Sequence, residues 1–216
     1  MKIVLAVPSG TMVHASFAMC FGAMCKSTPK EHGLAFLNVK SSNIALSRNR
    51  AVAQAQEDGA DYMLFLDSDM SFPPDALTRL MRAMQEKEAA IVGCTYVMRQ
   101  PPFRNLAYGL PNEAGEQTVK GVVEVARLPT GLMLIDLKIF LKLKQPYFRF
   151  PFQEEDLEKG VEPSLGGEDY YFCDSVVAAG GHIWMDTDLS YEITHWGEMG
   201  VQWANNEKGY VTIVNS

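Results

Sequence analysis

Residues 62–66, Tyr-Met-Leu-Phe-Leu, form a continuous apolar run that ends abruptly in Asp67-Ser68-Asp69. A run that is apolar at every position predicts a strand buried on both faces, as in the centre of an α/β sheet with helices on each side. Carboxylates at the carboxyl end of such a strand stand where open α/β sheets bind ligands. Two anions one residue apart repel each other unless a cation or a donor cluster neutralises them. The pair therefore has two readings. It supplies oxygen ligands to a hard divalent cation, Mg2+ or Mn2+, which brings a phosphate with it. Alternatively it is an Asp-rich turn leading into the helix that Pro73-Pro74 opens.

The flanking segments supply the rest of such a sheet. Ile3–Val7 is a β-branched run closed by Pro8-Ser9-Gly10, and a buried helix is expected from about Met12 to Lys26. Leu34–Val39 is a second strand, and Ile44–Glu57 a helix carrying Arg48, Asn49 and Arg50. Arg48 and Arg50 cannot share one helix face, so one can meet a ligand while the other is solvated. A helix over Asp75–Glu86 and a strand over Ala89–Tyr96 follow. This alternation predicts a parallel, doubly wound first half.

The second half is looser. Residues 99–121 are Pro-, Gly- and Asn-rich with little periodicity, a length of irregular chain that is usually functional. Strands are expected at Gly121–Arg127 and Leu132–Ile135, with a helix around Leu137–Lys142. An acidic stretch, Gln153–Gly167, reads as a flexible loop leading to Glu168-Asp169 and a helix that runs to Ala179. His182–Met185 is a short strand, Asp186–Tyr191 is expected to be extended, and the tail carries His195, Trp196 and Trp203. There is no repeat and no linker, so residues 1–216 are expected to form a single domain.

Composition narrows the function classes. The net charge of −7 argues against a surface that coats nucleic acid. No apolar run approaches the roughly 18 residues of a membrane span, and the N-terminal run stops at Pro8, as a strand would. Cys20, Cys25, Cys94 and Cys173 form no C-x-x-C pair and lie in apolar segments. Reduced core thiols in a cytoplasmic protein are expected, with no zinc site. Glu168 and Asp169 at a helix start complement the helix dipole or do chemistry. His195 beside Trp196 is a structural histidine or a ligand.

In order along the chain, these residues resemble the GT-A glycosyltransferases, especially compact family 2-like members. Val7-Pro8-Ser9 is similar to the nucleotide-contacting end of the family's first strand. Ser47-Arg48-Asn49-Arg50-Ala51 resembles its "ARN"-type helix, and Phe65-Leu66-Asp67-Ser68-Asp69 its D-x-D. Pro129-Thr130-Gly131-Leu132-Met133 is similar to the strand entry beside the acceptor, Gly167-Glu168-Asp169 to the E-D motif, and His195 to a late metal-binding histidine. The resemblance implies a GT-A-like α/β domain with a Rossmann-like, mostly parallel central sheet flanked by helices. Residues 1–98 would be the nucleotide-binding half and 99–216 the acceptor and catalytic half.

The implied activity is metal-dependent transfer of a hexose or pentose from a nucleoside-diphosphate sugar, UDP-linked above others, to an acceptor hydroxyl. Pro8, Ser9, Arg48, Asp67, Ser68 and Asp69 would hold the nucleotide and diphosphate. Asp69 and His195 would ligate Mn2+ or Mg2+, with Asp67 reaching the ribose or a metal-bound water. Asp169 would be the general base of an inverting reaction, and Glu168 would position the acceptor or substitute as base. Retaining relatives share the same motifs, and the acceptor can be a glycan, a protein, a metabolite or a modified nucleobase in DNA. Two alternatives are a haloacid-dehalogenase (HAD)-type phosphatase with Asp67 as nucleophile and a non-catalytic nucleotide- or sugar-binding protein. A nucleotidyltransferase would need a more glycine-rich loop than Pro8-Ser9-Gly10-Thr11.

Overall fold

The fold is taken from a computed structural model, which describes residues 1–110, 119–151, 167–197, 200–203 and 211–214. Strands β1 (Lys2–Pro8), β2 (Gly33–Val39), β3 (Tyr62–Leu66), β5 (Ile91–Gly93), β6 (Val122–Val125), β7 (Leu132–Asp136) and β8 (Ile183–Asp186) form one sheet in the order β2-β1-β3-β7-β5-β8-β6. β1 pairs in parallel with both β2 and β3, and β5 in parallel with β8. β7 runs antiparallel between β3 and β5, and β6 antiparallel beside β8. The sheet is thus mostly parallel with two reversed strands.

The buried character of β3 follows from this position: Met63, Leu64, Phe65 and Leu66 are inaccessible to solvent, with a strand on each side. Alternate side chains enter two cores. Met63 and Phe65 pack on the side of helix α2 (Ile44–Glu57), with Phe148 and Phe172, while Leu64 and Leu66 pack on the side of helices α1 (Ala15–Ser27) and α3 (Ala76–Lys87). Helix α2 starts at Asn43, whose side chain accepts a hydrogen bond from Leu46 N at 3.1 Å.

A second, four-stranded antiparallel sheet comprises β4 (Met70–Ser71), β9 (Thr194–Trp196), β10 (Gly200–Trp203) and β11 (Val211–Val214), in the order β11-β10-β9-β4. β4 follows directly on Asp69, and Met70 pairs with His195. This short ladder carries residue 195 to the end of β3.

Several local expectations change. α1 begins at Ala15 and buries only Phe17 and Met24, so it is amphipathic rather than buried. The fourth strand shrinks to Ile91–Gly93, and residues 137–142 form a 3-10 helix. Residues 187–190 form a short helix, α5 (Thr187–Ser190), where extended chain was expected. The Asp186 carboxylate accepts from Leu189 N at 2.8 Å and so caps a turn at the strand's end. Parts of 99–121 are ordered, by bridges between Val97 and Asn105 and between Tyr108 and Arg127. The loop expected at 153–167 lies outside the described residues except for Gly167, as does 111–118 of the earlier stretch.

Candidate active site

A cleft of about 440 Å³ opens at the carboxyl ends of β1 and β3. It is within the usual size for small-ligand sites. Pro8, Arg48, Asp67, Ser68, Asp69, Glu168, Asp169 and His195 all line it, so eight of the nine expected site residues meet in one place. Ser9 is the exception. It does not line the cleft, and its hydroxyl accepts a hydrogen bond from Asn38 Nδ2 at 2.6 Å.

Arg48 links the two acidic motifs. Its side chain is 4% exposed, with Nη2 at 3.2 Å from Asp67 Oδ1 and Nε at 2.9 Å from Glu168 Oε1. The guanidinium also lies over the Phe65 ring, 5.3 Å from its centroid. A buried cation of this kind persists only because carboxylates pair with it. Its Nη1 is buried without a partner in the protein. Arg48, expected to contact the nucleotide or its phosphates, thus also bridges β3 and helix α4 (Glu168–Ala178), while Arg50 is exposed. Asn49, on the same helix, clasps the chain after β7. Its Oδ1 accepts from Tyr147 N at 2.8 Å and its Nδ2 donates to Phe148 O at 2.6 Å.

The two residues of the E-D pair are split by environment. Glu168 is buried and held by Arg48, whereas Asp169 has no cationic hydrogen-bond partner among the described residues and accepts from its neighbour Tyr170 N at 2.9 Å. Burial, and then the Glu168 charge beside it, push the Asp169 carboxyl up to about 6. Gly167 leaves room for the Asp169 carboxylate, because a Cβ at that position would collide with Asp169 Oδ1 and displace it.

Asp67 and Asp69 are also divided. Asp67 turns to Arg48, and its backbone N–H donates to Gly131 O at 3.0 Å. Asp69 turns the other way, with Oδ2 at 3.7 Å from His195 Nε2 and 2.5 Å from Arg99 Nη1. Burial raises the Asp69 carboxyl, but the His195 ring and the Arg99 guanidinium outweigh it and hold the group below its ordinary value. His195 Nδ1 lies 2.9 Å from Val97 O. A carbonyl can only accept, so Nδ1 carries a proton, and whenever the ring is neutral Nε2 is its lone-pair nitrogen. That tautomer is the one a metal ligand adopts. Trp196 N donates to Asp69 O at 2.8 Å and its indole Nε1 to Ser71 Oγ at 2.6 Å, which fixes β9 on β4.

Among the described residues, no three His, Cys, Asp or Glu side chains cluster closely enough to hold a metal by themselves. Asp67, expected beside the metal and toward the ribose, pairs through Oδ1 with Arg48. Asp69 Oδ2 and His195 Nε2 nonetheless face each other, and one carboxylate with one imidazole suits a Mn2+ or Mg2+ that takes its remaining oxygens from phosphates.

Two residues had not been singled out. Tyr96 is buried beneath the cleft, where its hydroxyl accepts from Gly131 N at 3.1 Å and its ring edge meets His195 at 4.8 Å. A Cβ at Gly131 would come within 2.5 Å of that hydroxyl. Arg99 lies on the cleft rim. Neither belongs to a motif, since their partners are distant in sequence, Gly131 and His195 for Tyr96 and Asp69 and Trp196 for Arg99.

A phosphoryl-accepting role for Asp67 finds no support, because its carboxylate is tied to Arg48 and it ends the third strand of the fold, not the first. The fold and the cleft at the ends of β1 and β3 define the GT-A class. The model of glycosyl transferase family 2 matches residues 27–132, which include Arg48, Asp67 and Asp69 but neither Asp169 nor His195. The chain thus has a GT-A-like fold, and about half of it resembles glycosyl transferase family 2.

Among solved structures, A197 from STIV is similar over 100% of this chain and 95% of its own, at 16% identity and a TM-score of 0.65. GalNAc-T7, solved with UDP, GalNAc and Mn2+, is similar over 86% of this chain and 42% of its own, at 11% identity and a TM-score of 0.56. A search of curated protein sequences gave no match. Among the described residues no helix is long and apolar enough to cross a membrane.

Proposed function

We propose that this single domain transfers a sugar from a nucleoside-diphosphate donor, UDP-linked before others, to an acceptor hydroxyl with inversion at the anomeric carbon. The observation that carries the reading is the division of labour at the start of α4. Glu168 is neutralised by Arg48, while Asp169, beside it in the same cleft as Asp69 and His195, has a carboxyl raised to about 6. A base is most effective near its operating pH, and Asp169 is ionised at neutrality with a proton affinity well above that of an ordinary aspartate.

Asp169 takes the acceptor's hydroxyl proton as that oxygen bonds to the anomeric carbon and the bond from that carbon to the diphosphate breaks. Asp69 and His195 would hold Mn2+ or Mg2+, which when bound supplies positive charge to the departing diphosphate. Pro8, Ser68 and Asp67, the last held by Arg48, line the cleft, and in this reading they would face the donor, with Asp67 toward the ribose. Glu168 positions rather than reacts, since its buried salt bridge fixes where α4 begins. A cleft in which four carboxylates face two guanidiniums needs a metal to accept an anionic donor, and that need separates the reading from a non-catalytic sugar-binding protein. The four free thiols suit a cytoplasmic setting. The acceptor, whether glycan, protein, metabolite or modified nucleobase, would be chosen by residues 99–121 and 153–167.

The test is Asp169→Asn, assayed for nucleotide-sugar binding and for UDP release. The variant is expected to bind UDP-sugar and Mn2+ as the wild type does and to release UDP at least about 100-fold more slowly. Unimpaired release would place the base elsewhere.

A further inference from the structure

Arg99 stands on the one carboxylate oxygen that the metal reading needs. Its Nη1 is 2.5 Å from Asp69 Oδ2, and the same oxygen faces His195 Nε2 at 3.7 Å. Nη1 also lies 3.4 Å from Trp196 O, and the aliphatic stem runs past Gly197, where a Cβ would stand 3.3 Å from Arg99 Cδ. The guanidinium therefore reaches Asp69 along the end of β9, the strand that carries His195.

The charge balance of the cleft explains why a cation sits there. Four carboxylates (Asp67, Asp69, Glu168 and Asp169) and two guanidiniums (Arg48 and Arg99) line it. Arg48 is committed to Asp67 and Glu168, which leaves Arg99 as the cation for Asp69. The Arg99–Asp69 pair differs from the buried triad in being displaceable: the two side chains are 47% and 30% exposed, and exposed pairs are weak. Arg99 also lines a second cavity, with Met98, Pro101 and Phe103, that adjoins the cleft through Arg99, Leu106 and His195. There is room for its head group on either side of its present position.

We propose that Arg99 is a placeholder cation and a diphosphate-positioning residue. In the donor-free protein it neutralises Asp69, gives up that oxygen to the divalent cation, and then binds the donor's diphosphate. Like charges separate, so the guanidinium cannot stay on Asp69 once a dication shares it, and the phosphates held at the same place become its nearest anion. The inference rests on the metal–diphosphate reading of the cleft and adds to it a residue that no motif indicates. It predicts opposite effects on two ligands: loss of the Arg99 charge strengthens binding of the metal alone and weakens binding of the nucleotide.

The experiment measures two dissociation constants on the full chain, with no acceptor and no turnover. Mn2+ alone is titrated by electron paramagnetic resonance of the free ion, and UDP is titrated calorimetrically in saturating Mn2+. Arg99→Met keeps the stem and removes the charge, and Arg99→Lys keeps the charge without the planar fork. Relative to wild type, Arg99→Met is expected to bind Mn2+ about 3- to 30-fold more tightly and UDP roughly 10- to 100-fold more weakly. Arg99→Lys should fall between the two for both ligands. An unchanged or weaker affinity for Mn2+ in Arg99→Met, or an unchanged affinity for UDP, overturns the proposal. Asp69→Asn separates the two levels. If the wild type binds no Mn2+ with UDP present, or Asp69→Asn binds it equally well, the metal reading itself fails along with the inference. If wild type binds and Asp69→Asn does not, only the Arg99 assignment is at stake. Arg99 is half exposed, so its variants are expected to melt within a few degrees of wild type.

Discussion

Asp169 is expected to weaken the fold that it serves. Its carboxyl is displaced from 3.8 to about 6, chiefly by burial and then by Glu168. Each unit corresponds to about 1.4 kcal/mol between the protonated and ionised forms, so the ionised group would cost about 3 kcal/mol if fully shielded. Asp169 retains some contact with water, and screening brings the figure to about 2 kcal/mol. The sign follows from linkage. The folded group holds its proton more tightly than the unfolded one. The stability it contributes is therefore complete below pH 4 and is lost as pH rises through 6.

Asp169→Asn removes that dependence while keeping an oxygen to accept from Tyr170 N, a bond of 2.9 Å in the wild type. At pH 7.5 the variant should be more stable than wild type by about 2 kcal/mol, a rise in Tm of roughly 4–8 °C for a chain of this size. At pH 4 the two should melt together. Urea or thermal melts of both proteins from pH 4 to 8 provide the assay, and other titrating groups cancel in the difference. A variant less stable than wild type at pH 7.5, or a difference that does not change with pH, would refute the electrostatic account of this residue. Gain of stability with loss of transfer is the expected signature of a strained base.

Other perturbations reach different parts of the site. Arg48→Met leaves Glu168 buried without its cation and should cost about 3–5 kcal/mol in urea melts, whereas a surface change such as Arg50→Met should cost under about 0.5 kcal/mol. Gly167→Ala should leave the melting temperature within a few degrees but slow UDP release, because its Cβ displaces the Asp169 carboxylate; unchanged kinetics would show that the carboxylate relocates freely. Gly131→Ala forces a Cβ against the Tyr96 hydroxyl and should destabilise by about 1–3 kcal/mol. His195→Ala should abolish the effect of Mn2+ on nucleotide binding while the protein still folds, checked by calorimetry with and without the metal.

What could be read in the sequence was local. The apolar run 62–66, the helix around Arg48 and the Gly167-Glu168-Asp169 helix start each carry their own periodicity or punctuation, and all three are where they were expected. Strand direction has no such mark. Leu132–Asp136 looks like any buried strand, and only pairing between β3 and β5 shows that it runs backwards. Residues 70–71 are too few to show a period, yet their ladder to 194–195 brings His195 to Asp69. The role of Arg48 was legible as a charge near a ligand but not as a bridge, since its partners lie 19 and 120 residues away. Arg99 and Tyr96 were illegible for the same reason: their partners, Asp69 and Trp196 for one and Gly131 and His195 for the other, are far from them in sequence.

The central claim is that Asp67, Asp69 and His195 form half of a metal–diphosphate site, and a thermal-shift series tests it most directly. UDP-, GDP- and CDP-sugars are compared with and without Mn2+, on wild type and on Asp69→Asn. A ligand present at 100 times its Kd stabilises by about 2.7 kcal/mol, which for this size is a rise of roughly 5–11 °C. The account predicts that rise for a UDP-sugar on wild type only when Mn2+ is present, and no rise on Asp69→Asn. Stabilisation of equal size without a divalent cation, or in Asp69→Asn, would contradict it.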